Sequence, residues 1–225
     1  MVVDAVPATV DVMLPESGID VFVHVQGDYA CFTRPDFSTE RVSHPVITPT
    51  AAVGVLENIY WKPEMYYRIN WIDVLRPIQW MRMMRNEINS RQSMQHWLRN
   101  APDGGYDATA DRAQRHILLL RDVEYVISVT CFSKEHDKAG PAKHRAILMR
   151  RLERGQYFCS PYLGCREYLA DVSLAPAQYT RQCLNKDLGE VITRIHRDNR
   201  GALVGTDSAH LYVRDGRVSF AQEDV

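Results

Sequence analysis

Lys143 and His144 stand together in the first turn after Pro141, at a predicted helix start. Unpaired backbone N–H groups and the positive end of the helix dipole make such a turn an anion site, and a phosphate fits there. The dipole disfavours a protonated imidazole, which leaves His144 able to accept a proton. The fixed charge of Lys143 can stabilise negative charge developing on phosphorus. From spacing alone a solvated helix start is the favoured reading, because Lys and His are common there. Tyr60 closes another predicted helix. It could donate or orient a proton, although an aromatic in that position is more often part of the core.

A second pattern sets cations beside aromatics: Tyr29 and Arg34 in one loop, Arg82 and Arg85 on a Met-rich segment, and Arg145, Arg150 and Arg151 beyond Lys143. Phosphate gripping with base stacking uses this combination, and a charged solvated face has it too. Net charge is only −1, but residues 1–75 carry −6, residues 76–154 carry +6 and residues 155–225 carry −1. Of 27 basic residues 22 are Arg, the cation that grips phosphate bidentately and stacks on bases. Codon bias alone raises Arg content, so the clustering is the more informative half.

Other chemistries have little foothold. Cys159 and Cys165, or His136 and His144, lack metal-ligand spacing, and no carboxylate cluster suits magnesium or zinc, so no metal and no cofactor are expected and buried structural cysteines are. There is no glycine-rich phosphate loop and no G-x-S-x-G elbow. Five cysteines without a C-x-x-C pair argue against a disulfide framework and for a reducing cytoplasm. No apolar run approaches the roughly 18 residues that cross a bilayer. The first fifteen residues hold no basic side chain, so neither a signal peptide nor a membrane partner is expected.

The elements that must position these residues follow from periodicity and punctuation. Residues 1–18 read as an extension or edge segment, and Ile19 to Gln26 alternates as a strand. A long loop follows. Thr48 and Pro49 open helix one, with Val53, Leu56 and Ile59 as its apolar stripe, and Pro63 ends it at Tyr60. Tyr66–Leu75 and Ile78–Ile88 predict a hairpin around Pro77, and residues 89–111 a polar, mobile excursion. Gln114–Leu120 and Val123–Phe132 predict a further strand pair across Arg121-Asp122. Pro141 opens helix two, with Ile147, Leu148 and Leu152 inward and Gly155 as a left-handed cap. Tyr168 to Leu174 alternates as a strand. A short strand over Val191–Ile195 follows, and then a hairpin, Leu211–Val213 against Val218–Phe220, turned by Asp215-Gly216. Strand, helix, strand, strand, helix, strand is the α+β, ferredoxin-like βαββαβ order, here with an inserted strand pair and a small C-terminal β appendage. The expected division is residues 1–18, 19–175 and 176–225. In that order the end of helix one lies beside the start of helix two, provided the inserted strands are even in number, so Tyr60 and Lys143-His144 would share one edge.

Particular strings add a resemblance. Gly27-Asp28-Tyr29-Ala30-Cys31-Phe32-Thr33-Arg34-Pro35, Glu40-Arg41-Val42-Ser43, Ile47-Thr48-Pro49, Ile59-Tyr60-Trp61-Lys62-Pro63, Arg85-Asn86-Glu87, Leu120-Arg121-Asp122-Val123, Lys143-His144 and Tyr162-Leu163-Gly164-Cys165-Arg166-Glu167 resemble, in order, the Cas-five family of CRISPR subtype I-C, also called the Dvulg subtype. The resemblance spans residues 19–175, with a weaker string at Asp187-Leu188-Gly189, and finds nothing in the N-terminal lead or in 89–111.

Members of that family are repeat-associated RNA-binding proteins with a ferredoxin-like body. The resemblance therefore implies a metal-independent endoribonuclease of antiviral defence that cuts the CRISPR repeat transcript by 2′-hydroxyl attack, leaving a 2′,3′-cyclic phosphate and a 5′-hydroxyl. It implies that the protein stays on the crRNA 5′ handle inside the Cascade effector, with the Cas-seven backbone and Cas-eight large subunits as partners and target DNA met through the complex. The family's catalytic Tyr falls on Tyr60, and its Lys-His pair on Lys143 and His144. The matched strings add Arg41, Lys62 and Arg166 to the RNA contacts. The ordinary phenol pKa near 10 suits Tyr60 as donor or orienting group better than as base. A non-catalytic subunit that only caps the 5′ handle is the alternative.

Overall fold

The computed structural model describes residues 9–11, 20–37, 39–91, 93–95, 98, 106–138, 140–198 and 202–220. Local signals set both long helices. Helix α1 is Pro49–Ile59, opened by Thr48, whose side chain accepts from the Ala51 N–H at 3.3 Å, and closed at Tyr60, whose backbone is extended. Its buried face is Ala52, Val55, Leu56 and Ile59, an i, i+3, i+4, i+7 stripe; Val53, expected inward, is only half-buried. The small side chain of Ala52 takes the core position one turn from Leu56. Helix α2 is Pro141–Glu153, with His144, Leu148 and Leu152 buried and Gly155 left-handed (φ 60°) beyond it. The histidine thus takes the first place on the core stripe, while Lys143 beside it is exposed.

The strands are β1 (Thr9–Asp11), β2 (Asp20–Ala30), β3 (Arg41–Val42), β4 (Met65–Val74), β5 (Gln79–Ile88), β6 (Arg112–Ser133), β7 (Asp171–Leu174), β8 (Gln178–Thr180), β9 (Lys186–Arg197), β10 (Leu203–Val213) and β11 (Arg217–Ser219). The main sheet runs β11-β4-β6-β2-β7, antiparallel throughout, with β5 antiparallel and β3 parallel to β6. The molecule is a mixed α and β fold with α1 and α2 packed on this sheet and on each other, burying Val21, Val23, Val25, Ile72, Ile127, Leu56 and Leu148.

Three expected pairings are corrected. The two apolar runs meeting at Arg121-Asp122 form one strand of 22 residues, β6, because Asp122 takes a left-handed conformation (φ 55°) that kinks the chain without reversing it. Consequently β4 and β5 do not pair with each other. They lie end to end along one flank of β6, Met65 opposite Ser133 and Ile88 opposite Arg112, and the segment around Pro77 displaces the chain instead of turning it. Arg76 ties this joint to the kink through Asp122 and Glu124. Near the C-terminus the Asp215-Gly216 turn forms (φ 46° and 75°) and closes an antiparallel bridge between Arg214 and Arg217, but beyond it β10 pairs with β9 and β11 adds to the edge of β4.

Buried Asp73 on β4 stabilises that last pairing: Arg217 donates to it at 2.6 and 2.7 Å, and the Tyr179 hydroxyl at 2.7 Å. β1 pairs with β8, so the N-terminal lead contributes an edge strand. The excursion at 89–111 lies partly outside the described residues; its described ends are joined where Asn89 and Ser90 bond to Asp111. The five cysteines are free, and Cys159 and Cys183 are exposed, so the expectation of buried structural cysteines fails for Cys159. Among the described residues no helix is long and apolar enough to cross a membrane.

Candidate active site

Pro63 excludes helical geometry at Lys62, so α1 stops and Tyr60 turns out of the helix axis. Its backbone N–H bonds to the Leu56 carbonyl at 2.9 Å, and its own carbonyl accepts from the Tyr67 hydroxyl at 2.5 Å. Arg151 of α2 donates to the Ile59 carbonyl and sets its guanidinium 5.2 Å from the centre of the Tyr60 ring. These contacts fix the phenol against α2.

The phenol oxygen lies 2.9 Å from His144 Nδ1, and His144 Nε2 lies 2.9 Å from Asp137 Oδ2. Tyr60 and His144 are each 4% exposed. An ionised carboxylate only accepts hydrogen bonds, so a neutral imidazole facing it would carry its proton on Nε2 and leave Nδ1 to accept from the Tyr60 hydroxyl. Burial pushes the phenol pKa above its usual value, opposed by the Arg151 cation, so Tyr60 is a neutral hydroxyl.

Tyr60, His144 and Asp137 line an open cleft of about 530 Å³. Lys62, Lys138, Lys143, Arg150 and Arg151 line it, against the carboxylates of Glu64 and Asp137. Cations outnumber anions, so an anionic ligand is favoured. A neutral phenol, an imidazole and an ammonium group lining one cleft can supply a proton donor, a proton acceptor and charge stabilisation. Among the described residues no three His, Cys, Asp or Glu side chains converge as metal ligands.

The predicted residues therefore divide. Tyr60, Lys143 and His144 meet, and Lys62, Arg150 and Arg151 join them. Arg145 points away and donates to the Asp20 carbonyl at 3.2 Å. The others occupy the opposite half of β6, where Arg41 on β3 lies level with Ile117 and Arg85 on β5 with Arg115. There Arg41 sits between Glu87 (3.6 Å) and Glu167 (3.5 Å), Arg85 pairs with Glu167, and Arg34 pairs with Asp36 at 2.6 Å. Tyr29 leans on the Tyr168 ring, and Arg82 and Arg166 are exposed. The +6 segment is split between two ends of the molecule, and its Arg76, Arg85 and Arg115 already face protein carboxylates.

Asp137, Glu64, His136 and Lys138 were not anticipated. One local signal was available for Asp137: an Asp side chain can bond to a backbone N–H a few residues on and so brace a loop, and Oδ2 does accept the Gly140 N–H at 3.1 Å.

Residues 20–222 match the family described as CRISPR-associated protein (Cas_Cas5). Over 170 residues, 76% of this chain and 70% of the relative, the sequence is 41% identical to a Thermus thermophilus protein named CRISPR pre-crRNA endoribonuclease Cas5d. A Mannheimia succiniciproducens protein of the same name is 38% identical over 181 residues, covering 74% of this chain and 80% of the relative. A solved crystal structure of a CRISPR-associated protein shares the fold with a TM-score of 0.66 at 23% identity, covering 91% of this chain and 92% of that one.

Proposed function

The chain belongs to the CRISPR-associated Cas5 family, and on that premise we propose that it is the pre-crRNA endoribonuclease of a subtype I-C system. Its sheet order β4-β6-β2-β7, with α1 between β2 and β4 and α2 between β6 and β7, supports a ferredoxin-like body over residues 19–175. Residues 1–18 and 176–225 then form an extension and a β appendage, the latter returning β11 to the main sheet.

The contact between the Tyr60 hydroxyl and His144 Nδ1 at 2.9 Å, beside Lys143 in a cationic cleft, carries the reading. As the RNA 2′-oxygen attacks the adjacent phosphorus, its proton passes to the Tyr60 oxygen while the Tyr60 proton passes to Nδ1. Lys143 stabilises the charge that builds on the non-bridging oxygens. The bond to the 5′-oxygen breaks, that oxygen takes a proton from water in the open cleft, and the hydroxide so formed takes the extra proton back from His144 through Tyr60, which restores both groups. The products are a 2′,3′-cyclic phosphate and a 5′-hydroxyl. We infer that the protein then remains on the 5′ handle within a Cascade effector, beside Cas-seven and Cas-eight subunits, and meets target DNA through that assembly.

Incubation with cognate repeat RNA in excess EDTA tests the reading. Cutting at one position, abolished by a single 2′-deoxy substitution there, is the expected result. The near-complete burial of Tyr60 and His144 favours a second reading, a subunit that only caps the handle; intact, tightly bound RNA would establish it. Activity that EDTA removes would identify a metal-dependent nuclease instead.

A further inference from the structure

Asp137 lies outside the Tyr60, Lys143 and His144 set, yet it occupies the far side of the same imidazole. We propose that Asp137 is a positioning residue for RNA cleavage: its carboxylate holds His144 as the Nε2–H tautomer and keeps the Nδ1 lone pair aimed at Tyr60. The proposal rests on the endoribonuclease reading.

A neutral imidazole has one N–H and one lone pair, and the two tautomers exchange freely in water. Here both side chains are withdrawn from water, His144 at 5% and Asp137 at 7% side-chain exposure, and Oδ2 stands 2.9 Å from Nε2. The carboxylate can only accept, so it selects the N–H on its own side. Without it the ring is free to carry its proton on Nδ1. That N–H would then donate to the phenol oxygen, and the path for a proton from Tyr60 into the ring would be blocked.

The carboxylate is itself held in place. The Asp137 N–H bonds to the Lys134 carbonyl at 3.0 Å, and Oδ2 also accepts the Gly140 N–H at 3.1 Å, just where the left-handed Gly140 (φ 76°) leads into α2. The loop that starts the helix and the group that orients its histidine are thus one unit. The same bond gives Asp137 an ordinary role in holding the loop that leads into α2, and the test must separate the two.

Single-turnover cleavage, RNA affinity and ¹⁵N NMR of the histidine rings are measured for wild type, Asp137→Asn and Asp137→Ser. Asn keeps the side chain's shape. Ser keeps an acceptor for the Gly140 N–H but is too short to reach the ring. Wild type should show protonated Nε2 and unprotonated Nδ1, and both variants should populate the other tautomer. Both should cut about 10²- to 10⁴-fold more slowly, as loss of a histidine-orienting carboxylate does elsewhere, with Kd for RNA within about twofold. A proton on Nδ1 in wild type overturns the proposal, as does either variant cutting at the wild-type rate. If a variant fails to fold, the wild-type tautomer decides alone. A wild-type chain that shows the Nε2–H tautomer but leaves repeat RNA intact overturns the nuclease reading, and with it the role of Asp137 in cleavage.

Discussion

Tyr60 ends one helix and His144 begins the other, 84 residues further along the chain, and their side chains meet at 2.9 Å. The contact follows from two helices packed side by side on one sheet, the C-terminal end of α1 against the N-terminal end of α2. It makes the phenol and the imidazole a single proton-handling unit.

Tyr60→Phe and His144→Ala should each slow single-turnover cleavage by about 10²- to 10⁴-fold, the usual worth of a positioned proton-transfer group. RNA affinity should stay within about twofold. Because the two groups act in series, the double variant should be no slower than the slower single one. Multiplying losses would show that they act independently.

The cleft cations should govern the salt dependence of binding. Log affinity should fall linearly with log salt, by about 0.7 per phosphate neutralised on single strands. Lys62→Ala and Arg150→Ala should each lower that slope in a salt titration. Arg41→Ala and Arg85→Ala should leave it nearly unchanged, because those guanidinium groups already face Glu87 and Glu167. A lower slope in Arg41 and Arg85 variants alone would move the RNA path to the far half of β6.

Stability should decline with acid through His44. Burial, and then the nearby Arg34 cation, push its pKa below the ordinary value. As pH falls below about 6.5 the unfolded chain takes up this proton while the folded chain resists it, so stability present at neutral pH is progressively lost. Urea midpoints measured from pH 8 to pH 5 should fall less steeply for His44→Gln than for wild type. Parallel curves would remove His44 from the account.

Asp73→Ala should destabilise the fold by about 3–5 kcal/mol, the range for breaking a buried ion pair from one side. The side chain is fully buried and holds Arg217 of β11 and Tyr179 of β8 against β4. Chemical denaturation measures the loss. Amide exchange should speed first at Val218 and Ser219, whose strand depends on this anchor.

What was legible in the sequence was local. Thr48, Pro49 and Pro63 bound α1, and Pro141 and Gly155 bound α2, because capping and proline sterics act within a few residues. The alternation of Val21, Val23 and Val25 marks β2 for the same reason, since side-chain direction repeats every two residues along a strand. Tyr60, Lys143 and His144 could be placed on one edge because both helix ends were known and the βαββαβ order sets the two helices antiparallel. Strand partners could not be read this way. The segments around Pro77 and Asp122 look like turns in sequence, but whether a chain reverses or only kinks depends on which strand offers free hydrogen bonds beside it, and β6 offered its whole flank to β4 and β5 in succession. The same limit hid Asp137: its contact with His144 exists only because the loop from Lys134 to Gly140 folds back on the helix it starts, bringing a carboxylate to a ring nitrogen that no periodicity connects to it.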